Sequence, residues 1–364
     1  MKGKHIVFFV SSFNVGGVER AFVNLANSFV ENGHKVDFVV SRNIGNLHAE
    51  LDIRINVIDL NAKKLRHSFF SLYKYIKSSS ADCLIAGPTY PNIVALVANM
   101  LAFNKMKIIV SQHSYQDLEM QKLGLTGKIA PFLVQFLYNK SYKVVAVSEG
   151  VKDYLISDCK VQEKKIQTIY NAVINNSFFK KSEEEIPEAI ANKLLGKRYI
   201  IAVGRLEAVK NYSFMLQSFV QLRTQGFDYD LVILGEGADR DMIEKKINEL
   251  RLNNIIHLFG ALANPFPIIK KAKLFIHTSF SEAMPLVYVE SLALKVPVVT
   301  ITNKGALEIL GNIKSKYIVN SHNQEEFTSA IYKMLRLKFL EEDFVELKQF
   351  HSDEIMKSYL MLID

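Results

Sequence analysis

The residues most capable of chemistry are two glutamates, Glu282 and Glu290, which stand eight positions apart in the second half of the sequence. Glu282 follows a predicted strand, and Glu290 lies one turn after Leu286 on a predicted helix that is otherwise apolar. A carboxylate on a mostly buried helix is costly unless a partner satisfies it. Sugar and ribose hydroxyls are suitable donors to such carboxylates, and free N–H groups at a helix start can hold phosphate or a sugar oxygen. The structural alternative is that Glu282 caps the helix and Glu290 pairs with a lysine.

Two cations precede another predicted helix in the same half. Arg205 and Lys210 follow Gly204, at the end of a strand predicted over Tyr199–Val203. Fixed cations beside the positive end of a helix dipole suit a diphosphate. Gly235 lies in a small-residue turn after the next strand and reaches the same edge of the sheet. The pattern predicts an anion site, and the alternative is a pair of solvated basic residues.

The first half carries a glycine pair and a histidine at comparable places. Gly16 and Gly17 open a predicted helix directly after the first strand, where backbone N–H groups can approach an anion. Their spacing fits neither GxGxxG nor GxxxxGK[ST], which argues against nicotinamide dehydrogenases and P-loop ATPases. His113 follows a strand predicted over Lys107–Val110. A ligand-free tight turn and a structural histidine are the alternatives.

Apolar runs that alternate with helical segments place all these residues on parallel sheets. The predicted strands of the first half are His5–Val10, Lys35–Val40, Ile55–Leu60, Cys83–Ala86, Lys107–Val110, Lys143–Val147 and Ile166–Ile169. Those of the second half are Tyr199–Val203, Asp230–Leu234, Ile255–Phe259, Leu274–Thr278, Val296–Ile301 and Lys316–Val319. The pattern pauses between them in a charged stretch that contains a proline. We predict two doubly wound, Rossmann-like α/β domains facing a cleft, with ligands beyond the carboxyl ends of the strands. The predicted divisions are 1–180, a linker at 181–197, 198–349, and a last helix at 350–364.

Composition excludes several classes of protein. The 364 residues are 49% hydrophobic and include two cysteines, so a disulfide miniprotein and global disorder are excluded, and a reducing cytoplasm is the simplest setting. The apolar stretch after the first residues is too short for a signal peptide. The uncharged run 83–104 is interrupted near its start, and we interpret it as strand, turn and buried helix.

The net charge of +8 lies in the first half, where residues 1–180 hold 22 Lys and Arg against 13 Asp and Glu. Such a surplus attracts nucleic acid, anionic membranes or phosphorylated small molecules. A segment that begins with Lys63, Lys64 and Arg66 mixes cations with aromatic residues at helical spacing. This composition suits docking on anionic lipid, and the alternative is an ordinary solvated helix.

In order along the chain, these motifs resemble the retaining glycosyltransferases of family 4, which have the two-domain GT-B architecture. Gly16–Arg20 resembles the family's GG-x-E-R loop, and His113 its inner-strand histidine. Gly204–Leu206 with Lys210–Asn211 resembles G-R-L…K-N, and Glu282–Glu290 resembles E-x7-E. Further matching segments are Val147–Glu149, Tyr170–Val173 and Gly235–Gly237. The sequence departs from the pattern at Ala172 and Ala283, where glycine is usual, and at Tyr170, where proline is usual.

The resemblance implies a role for each matched residue. Arg205 and Lys210 bind the donor's diphosphate and stabilise the charge that develops on it, so no metal is required. Glu290 holds the ribose, Glu282 the transferred sugar, and His113 contacts that sugar near the scissile bond. The other residues expected to bind the donor are Gly16, Gly17, Gly204, Gly235, Ala283, Met284, Pro285, Leu286 and Val287. No enzymic nucleophile is implied.

The resemblance further implies a UDP-linked hexose or N-acetylhexosamine donor and a glycan acceptor, often lipid-linked, in polysaccharide, O-antigen or capsule synthesis. We therefore expect a cytoplasmic protein, peripheral on the inner face of the plasma membrane, with no nucleic-acid partner. One alternative is a sugar-nucleotide 2-epimerase, which shares the architecture but not the second-half motifs. A non-catalytic glycan-binding or nucleic-acid-binding protein is the other, and the latter would leave Glu282 and Glu290 unexplained.

Overall fold

A computed structural model describes residues 3–115, 125–311, 313–344 and 347–364. Contacts divide the chain into two compact units. One comprises Met1–Asn175 together with Lys348–Asp364, and the other comprises Asn176–Leu347. The segment predicted as a linker, 181–197, lies at the start of the second unit and contains a helix.

The first unit is built on a parallel sheet in the order β3-β2-β1-β4-β5-β6-β7. In most of these strands every residue after the first is buried, because helices cover both faces of the sheet. Their bounds are β1 His5–Val10, β2 Lys35–Val40, β3 Asn56–Asp59, β4 Cys83–Ala86, β5 Lys107–Gln112, β6 Lys143–Ala146 and β7 Ile166–Thr168. The helices between them are α1 Gly17–Glu31, α2 Phe69–Ser78, α3 Thr89–Leu101, α4 Leu125–Tyr138 and α5 Glu149–Ser157. The uncharged run 83–104 is thus β4, a turn and α3, as expected.

The second unit has a parallel sheet in the order β10-β9-β8-β11-β12-β13. Its strands are β8 Tyr199–Val203, β9 Asp230–Leu234, β10 Ile256–Gly260, β11 Phe275–His277, β12 Val298–Ile301 and β13 Lys316–Val319. Its helices are α6 Phe178–Ser182, α7 Glu188–Leu194, α8 Tyr212–Thr224, α9 Arg240–Glu249, α10 Phe266–Lys271, α11 Leu286–Ala293, α12 Lys304–Leu310 and α13 Gln324–Arg336. In both sheets the strand order reverses beside the first strand, so the loops after the inner strands meet at one edge.

The last helix, α14 (Ser352–Ile363), returns to the first unit and packs on α1. Ser28 Oγ donates to Asp353 Oδ1 at 2.6 Å, and the Lys107 ammonium donates to the Ile363 carbonyl at 2.6 Å. The apolar side of α14 joins the core of that unit through Ile355, Met356 and Tyr359. The predicted fold class and the returning helix are both confirmed. Within the described residues, no helix combines the length and apolarity that a membrane crossing needs.

Candidate active site

Two loops at the carboxyl edge of the second sheet are held together by their backbones. Leu206 N–H donates to the Glu236 carbonyl at 2.9 Å, and Gly204 N–H donates to the Leu234 carbonyl at 3.0 Å. A Cβ atom on Gly235 would stand 1.9 Å from the Gly204 carbonyl oxygen, and one on Gly237 would stand 2.3 Å from the Leu206 carbonyl oxygen. Both glycines are therefore needed for loop packing, and the donor-binding role of Gly235 stays a prediction.

We expect Gly235→Ala to lower the free energy of unfolding by about 1–3 kcal/mol, because its Cβ would clash with the Gly204 backbone, which cannot turn away. Gly204→Ala is the matched control, since its Cβ would meet the Tyr212 hydroxyl at 3.5 Å and Lys210 Cε at 3.6 Å, which are ordinary contacts. Urea midpoints measure the difference. Equal midpoints for the two variants would contradict the packing role.

Lys210 ends a short 3-10 turn, Ala208–Lys210, directly before α8. Asn211 then takes the left-handed conformation and caps α8, its side-chain oxygen accepting from Phe214 N–H. The Thr278 hydroxyl, just after β11, donates to the Lys210 carbonyl at 2.8 Å. The backbone of Lys210 is therefore fixed by the neighbouring strand as well as by its own helix.

The structure brings Lys210 and Glu282 into contact although they are 72 residues apart in sequence. Lys210 Nζ lies 2.5 Å from Glu282 Oε1, and their side chains are only 16% and 13% exposed. Burial alone would raise the pKa of Glu282, but Lys210 and, more weakly, His277 and a hydrogen bond from the Ser279 hydroxyl outweigh it and hold the pKa below its ordinary value. Glu282 is thus an anion at neutral pH. The alternative that Glu282 caps the following helix is wrong, because the N-cap of α11 is Pro285.

The turn that carries Glu282 is supported by the first turn of α12 and its N-cap. Gly305 N–H donates to the Glu282 carbonyl at 3.1 Å. A Cβ atom on Gly305 would lie 2.8 Å from that carbonyl oxygen and 2.8 Å from Pro285 Cδ, so only glycine fits. Asn303 caps α12 and also donates to the Ser279 carbonyl at 3.4 Å. The start of the backbone 282–287, predicted to hold the sugar, is thereby fixed by the beginning of α12.

Arg205 and Glu290 lie in the same unit in different surroundings. Arg205 is exposed, and its Nη1 donates to Glu207 Oε1 at 2.8 Å. Glu290 lies inside α11 and is 5% exposed, as its place on an apolar helix predicted. The roles of both residues in donor binding stay predictions.

Sequence reasoning missed three polar residues behind Glu282. His277 ends β11, and its Nε2 is 3.4 Å from Glu282 Oε1. Its Nδ1 is 2.8 Å from the Tyr288 hydroxyl, which is 2.7 Å from Thr300 Oγ1. The available signal was a histidine at the end of an apolar strand, directly before the glutamate motif.

The predicted residues of the first unit gather at the carboxyl ends of β1 and β5. Gly16 is the N-cap of α1, and Gly17 is exposed at its first turn. The His113 ring packs edge-on against Phe22, with 5.5 Å between ring centroids. Burial lowers the pKa of His113 to about 3, and Asn171 opposes this shift. At neutral pH His113 is therefore an uncharged hydrogen-bonding group.

The sequence contains two Asp-x-Asp triplets, a pattern that can hold a metal in other transferases. One lies at the opposite edge of the second sheet from this site, and the other, 239–241, begins α9, where Asp239 N–H donates to the Leu206 carbonyl at 2.9 Å. Asp228 and Asp230 flank the beginning of β9, at the opposite end of the strand from Gly235. Asp228 pairs with Arg198 at 2.6 Å, while Asp230 pairs with Lys197 at 2.8 Å and lies 2.7 Å from His257. The first triplet thus forms ion pairs far from the Lys210–Glu282 pair.

Two doubly wound sheets with a returning last helix define the GT-B class. The crystal structure of HepE from Anabaena in complex with UDP and glucose has this fold, with a TM-score of 0.77 over 98% of both chains at 16% identity. Residues 15–175 match the family model described as Glycosyltransferase Family 4, and residues 183–349 match the model described as Glycosyl transferases group 1. The chain belongs to the family 4 glycosyltransferases.

Two relatives from Campylobacter jejuni are similar in sequence. N-acetylgalactosamine-N,N'-diacetylbacillosaminyl-diphospho-undecaprenol 4-alpha-N-acetylgalactosaminyltransferase is 29% identical over 246 residues, which are 67% of this chain. That match spans 64% of the relative, slightly less than two thirds of its length. GalNAc-alpha-(1->4)-GalNAc-alpha-(1->3)-diNAcBac-PP-undecaprenol alpha-1,4-N-acetyl-D-galactosaminyltransferase is 25% identical over 98% of both chains.

Proposed function

We propose that this protein transfers a hexose or N-acetylhexosamine from a UDP-sugar to a hydroxyl of a lipid-linked glycan, with retention of configuration and without a metal. The observation that carries the proposal is the buried Lys210–Glu282 pair at the carboxyl edge of the second sheet. The similar Campylobacter proteins are named for sugar transfer to undecaprenol-linked glycans, and the similar Anabaena structure contains UDP and glucose. These names support both the donor and the acceptor class.

The chemistry follows from where charge develops. As the bond from the anomeric carbon to the diphosphate oxygen breaks, negative charge builds on the diphosphate, and Lys210 and Arg205 stabilise it. The acceptor hydroxyl attacks the same face of the sugar and forms the new bond. Its proton passes to the departing phosphate oxygen, so the chain supplies no nucleophile. Glu282 orients the transferred sugar by accepting hydroxyl hydrogen bonds, and Glu290 does the same for the ribose.

A thermal-shift panel of nucleotide sugars tests the proposal. A donor at 100 times its Kd stabilises the native state by about 2.7 kcal/mol, so the true donor should raise the Tm above the other compounds. Transfer to a lipid-linked acceptor with the best stabiliser then completes the test. Formation of a 2-epimer without an acceptor would establish the epimerase alternative, and no shift with any UDP-sugar would overturn the proposal.

We also propose that one helical layer of the first unit docks on the anionic inner face of the plasma membrane. Helices α2, α3 and α4 pack in succession, and none of the three contains an acidic residue. Residues 60–148 hold 11 Lys and Arg against 3 Asp and Glu, which matches the whole net charge of +8. Exposed aromatic rings lie on or beside this layer at Phe70, Phe103, Phe132 and Phe136. Cations with exposed rings suit an anionic lipid surface, where each Lys or Arg contributes about 1 kcal/mol.

We expect vesicles containing anionic lipid to pellet the protein at low salt and to release it at high salt. Reversing the exposed charges in Lys63→Glu/Lys64→Glu/Arg66→Glu should abolish pelleting. The matched control reverses three exposed lysines of the second unit, Lys245→Glu/Lys271→Glu/Lys273→Glu, and should pellet like wild type. Equal loss in both triple variants would indicate a general charge effect, and no pelleting of wild type would contradict the docking.

A further inference from the structure

Three polar side chains form a series of contacts that leads through the core of the second unit to Glu282. His277, Tyr288 and Thr300 come from β11, α11 and β12, and all three are buried. His277 Nδ1 lies 2.8 Å from the Tyr288 hydroxyl, and that hydroxyl lies 2.7 Å from Thr300 Oγ1. At the other end, His277 Nε2 lies 3.4 Å from Glu282 Oε1, too far for a good hydrogen bond, and this buried nitrogen has no hydrogen-bond partner in the part of the chain that the structure describes.

The charges around His277 decide which of its two ring nitrogens carries the proton. Burial lowers the pKa of His277 to about 4, partly opposed by Glu282, so the ring is neutral at pH 7 and carries one N–H. A lone pair on Nε2 would face the Glu282 carboxylate and be repelled, so the proton belongs on Nε2. Nδ1 is then an acceptor, and the Tyr288 hydroxyl must donate to it. Thr300 Oγ1, which also lies 3.1 Å from the Ile301 carbonyl, can in turn donate to the Tyr288 oxygen.

Glu282 is paired mainly with Lys210 and more weakly with the Ser279 hydroxyl, and Lys210 has a second anion to bind. The Lys210 ammonium contacts Glu282 directly at 2.5 Å, and it is also the cation proposed to bind the donor's diphosphate. When Lys210 turns toward the diphosphate, a carboxylate that is only 13% exposed loses its main compensation. The donors that then remain beside Glu282 are the Ser279 hydroxyl and the Nε2–H group of His277, which lies 3.4 Å from Oε1 and has no other hydrogen-bond partner among the described residues.

We propose that His277 is a positioning residue whose Nε2–H, oriented by Tyr288 and Thr300, holds Glu282 in place while Lys210 binds the donor. This rests on the proposed function for its catalytic consequence, but the contact itself is a property of the folded chain. These contacts keep Glu282 charged and keep it in position for the transferred sugar. A role limited to filling space would require only a side chain of similar size.

Two variants separate these roles by activity. His277→Gln can keep an N–H group directed at Glu282, whereas His277→Leu fills the space without a donor. We expect His277→Leu to lower kcat about 10- to 100-fold with the Kd for UDP changed less than about threefold, because Lys210 still binds the diphosphate. His277→Gln should stay within about fivefold of wild-type kcat, and Tyr288→Phe should fall between the two. Equal losses of kcat in His277→Leu and His277→Gln, or wild-type turnover in both, would overturn the proposed positioning role of His277.

A double-mutant cycle on stability tests the contact without any turnover. The shift in urea midpoint caused by His277→Leu is measured in wild type and in the Glu282→Gln background. We expect the shift to fall by at least half in that background, because the neutral amide no longer needs the donor. An unchanged shift would overturn the contact. If wild type transfers no sugar from any donor, the proposed function fails, and this cycle still decides whether His277 supports Glu282.

Discussion

Lys210→Met is expected to lower kcat/KM for the UDP-sugar by about 10²- to 10³-fold while the protein stays folded. A single donor that stabilises developing charge in a shielded site commonly has an effect of this size. Methionine matches the length of the lysine stem, and its thioether carries no charge. Steady-state kinetics with the donor found by thermal shift measure the loss, and circular dichroism verifies the fold.

The same variant should reverse the sign of a pH effect on stability. In wild type the pKa of Glu282 is below its ordinary value, so its contribution to stability is present at neutral pH and is lost as the pH falls through the folded-state pKa. Without Lys210, burial dominates and raises the pKa of Glu282. Lys210→Met should therefore gain stability relative to wild type as the pH falls from 7 toward 5. Parallel stability curves would show that Lys210 does not hold Glu282 ionised.

Glu290→Gln is expected to raise the KM for the donor about 10- to 100-fold with kcat changed little. Hydrogen bonds to a charged acceptor contribute about 1.5–3 kcal/mol, and the amide keeps the shape of this 5% exposed side chain while removing its charge. Ribose contacts are the same in the ground state and the transition state, so the loss should fall on binding.

Glu249→Gln, at an exposed position in the same unit, is the matched control and should behave like wild type. A Glu290→Gln variant with wild-type KM would remove Glu290 from the donor site. A variant with unchanged KM but a greatly lowered kcat would instead place Glu290 next to the reacting bond.

The sheets could be predicted because their strands are apolar on both faces. The predicted bounds of β1, β2 and β9 agree with the structure at both ends, since each run begins and ends at a polar residue or a glycine loop. The prediction for β5 stopped at Val110, whereas the strand continues to Gln112. The last two side chains, Ser111 and Gln112, are polar and yet fully buried. Gln112 bonds to Thr89 and Tyr138, and Ser111 Oγ lies 3.5 Å from the Tyr359 hydroxyl. Hydrophobic patterning cannot detect a polar residue whose partners come from other elements.

The sequence predicted which residue types form the candidate site, but it did not predict which of those residues contact one another. Motif spacing identified Lys210 and Glu282, but no local pattern predicts a contact between positions 72 residues apart. Arg205 was expected as a cation available to the donor, and the structure pairs it with Glu207 two positions away. The contacts behind Glu282 were not predicted from the sequence, because Tyr288 looks like an ordinary apolar position on α11. Its hydroxyl contacts His277 and Thr300, which lie on two adjacent strands.

Release of UDP from a UDP-sugar, measured with a lipid-linked acceptor in the presence of EDTA for wild type and Lys210→Met side by side, tests the central claim most directly. Lys210 is assigned the charge stabilisation that a divalent cation could otherwise supply. Wild type should release UDP in EDTA, and Lys210→Met should release it at least about 100-fold more slowly. Wild-type release that stops in EDTA, or equal rates for the two proteins, would contradict the assignment of donor chemistry to Lys210.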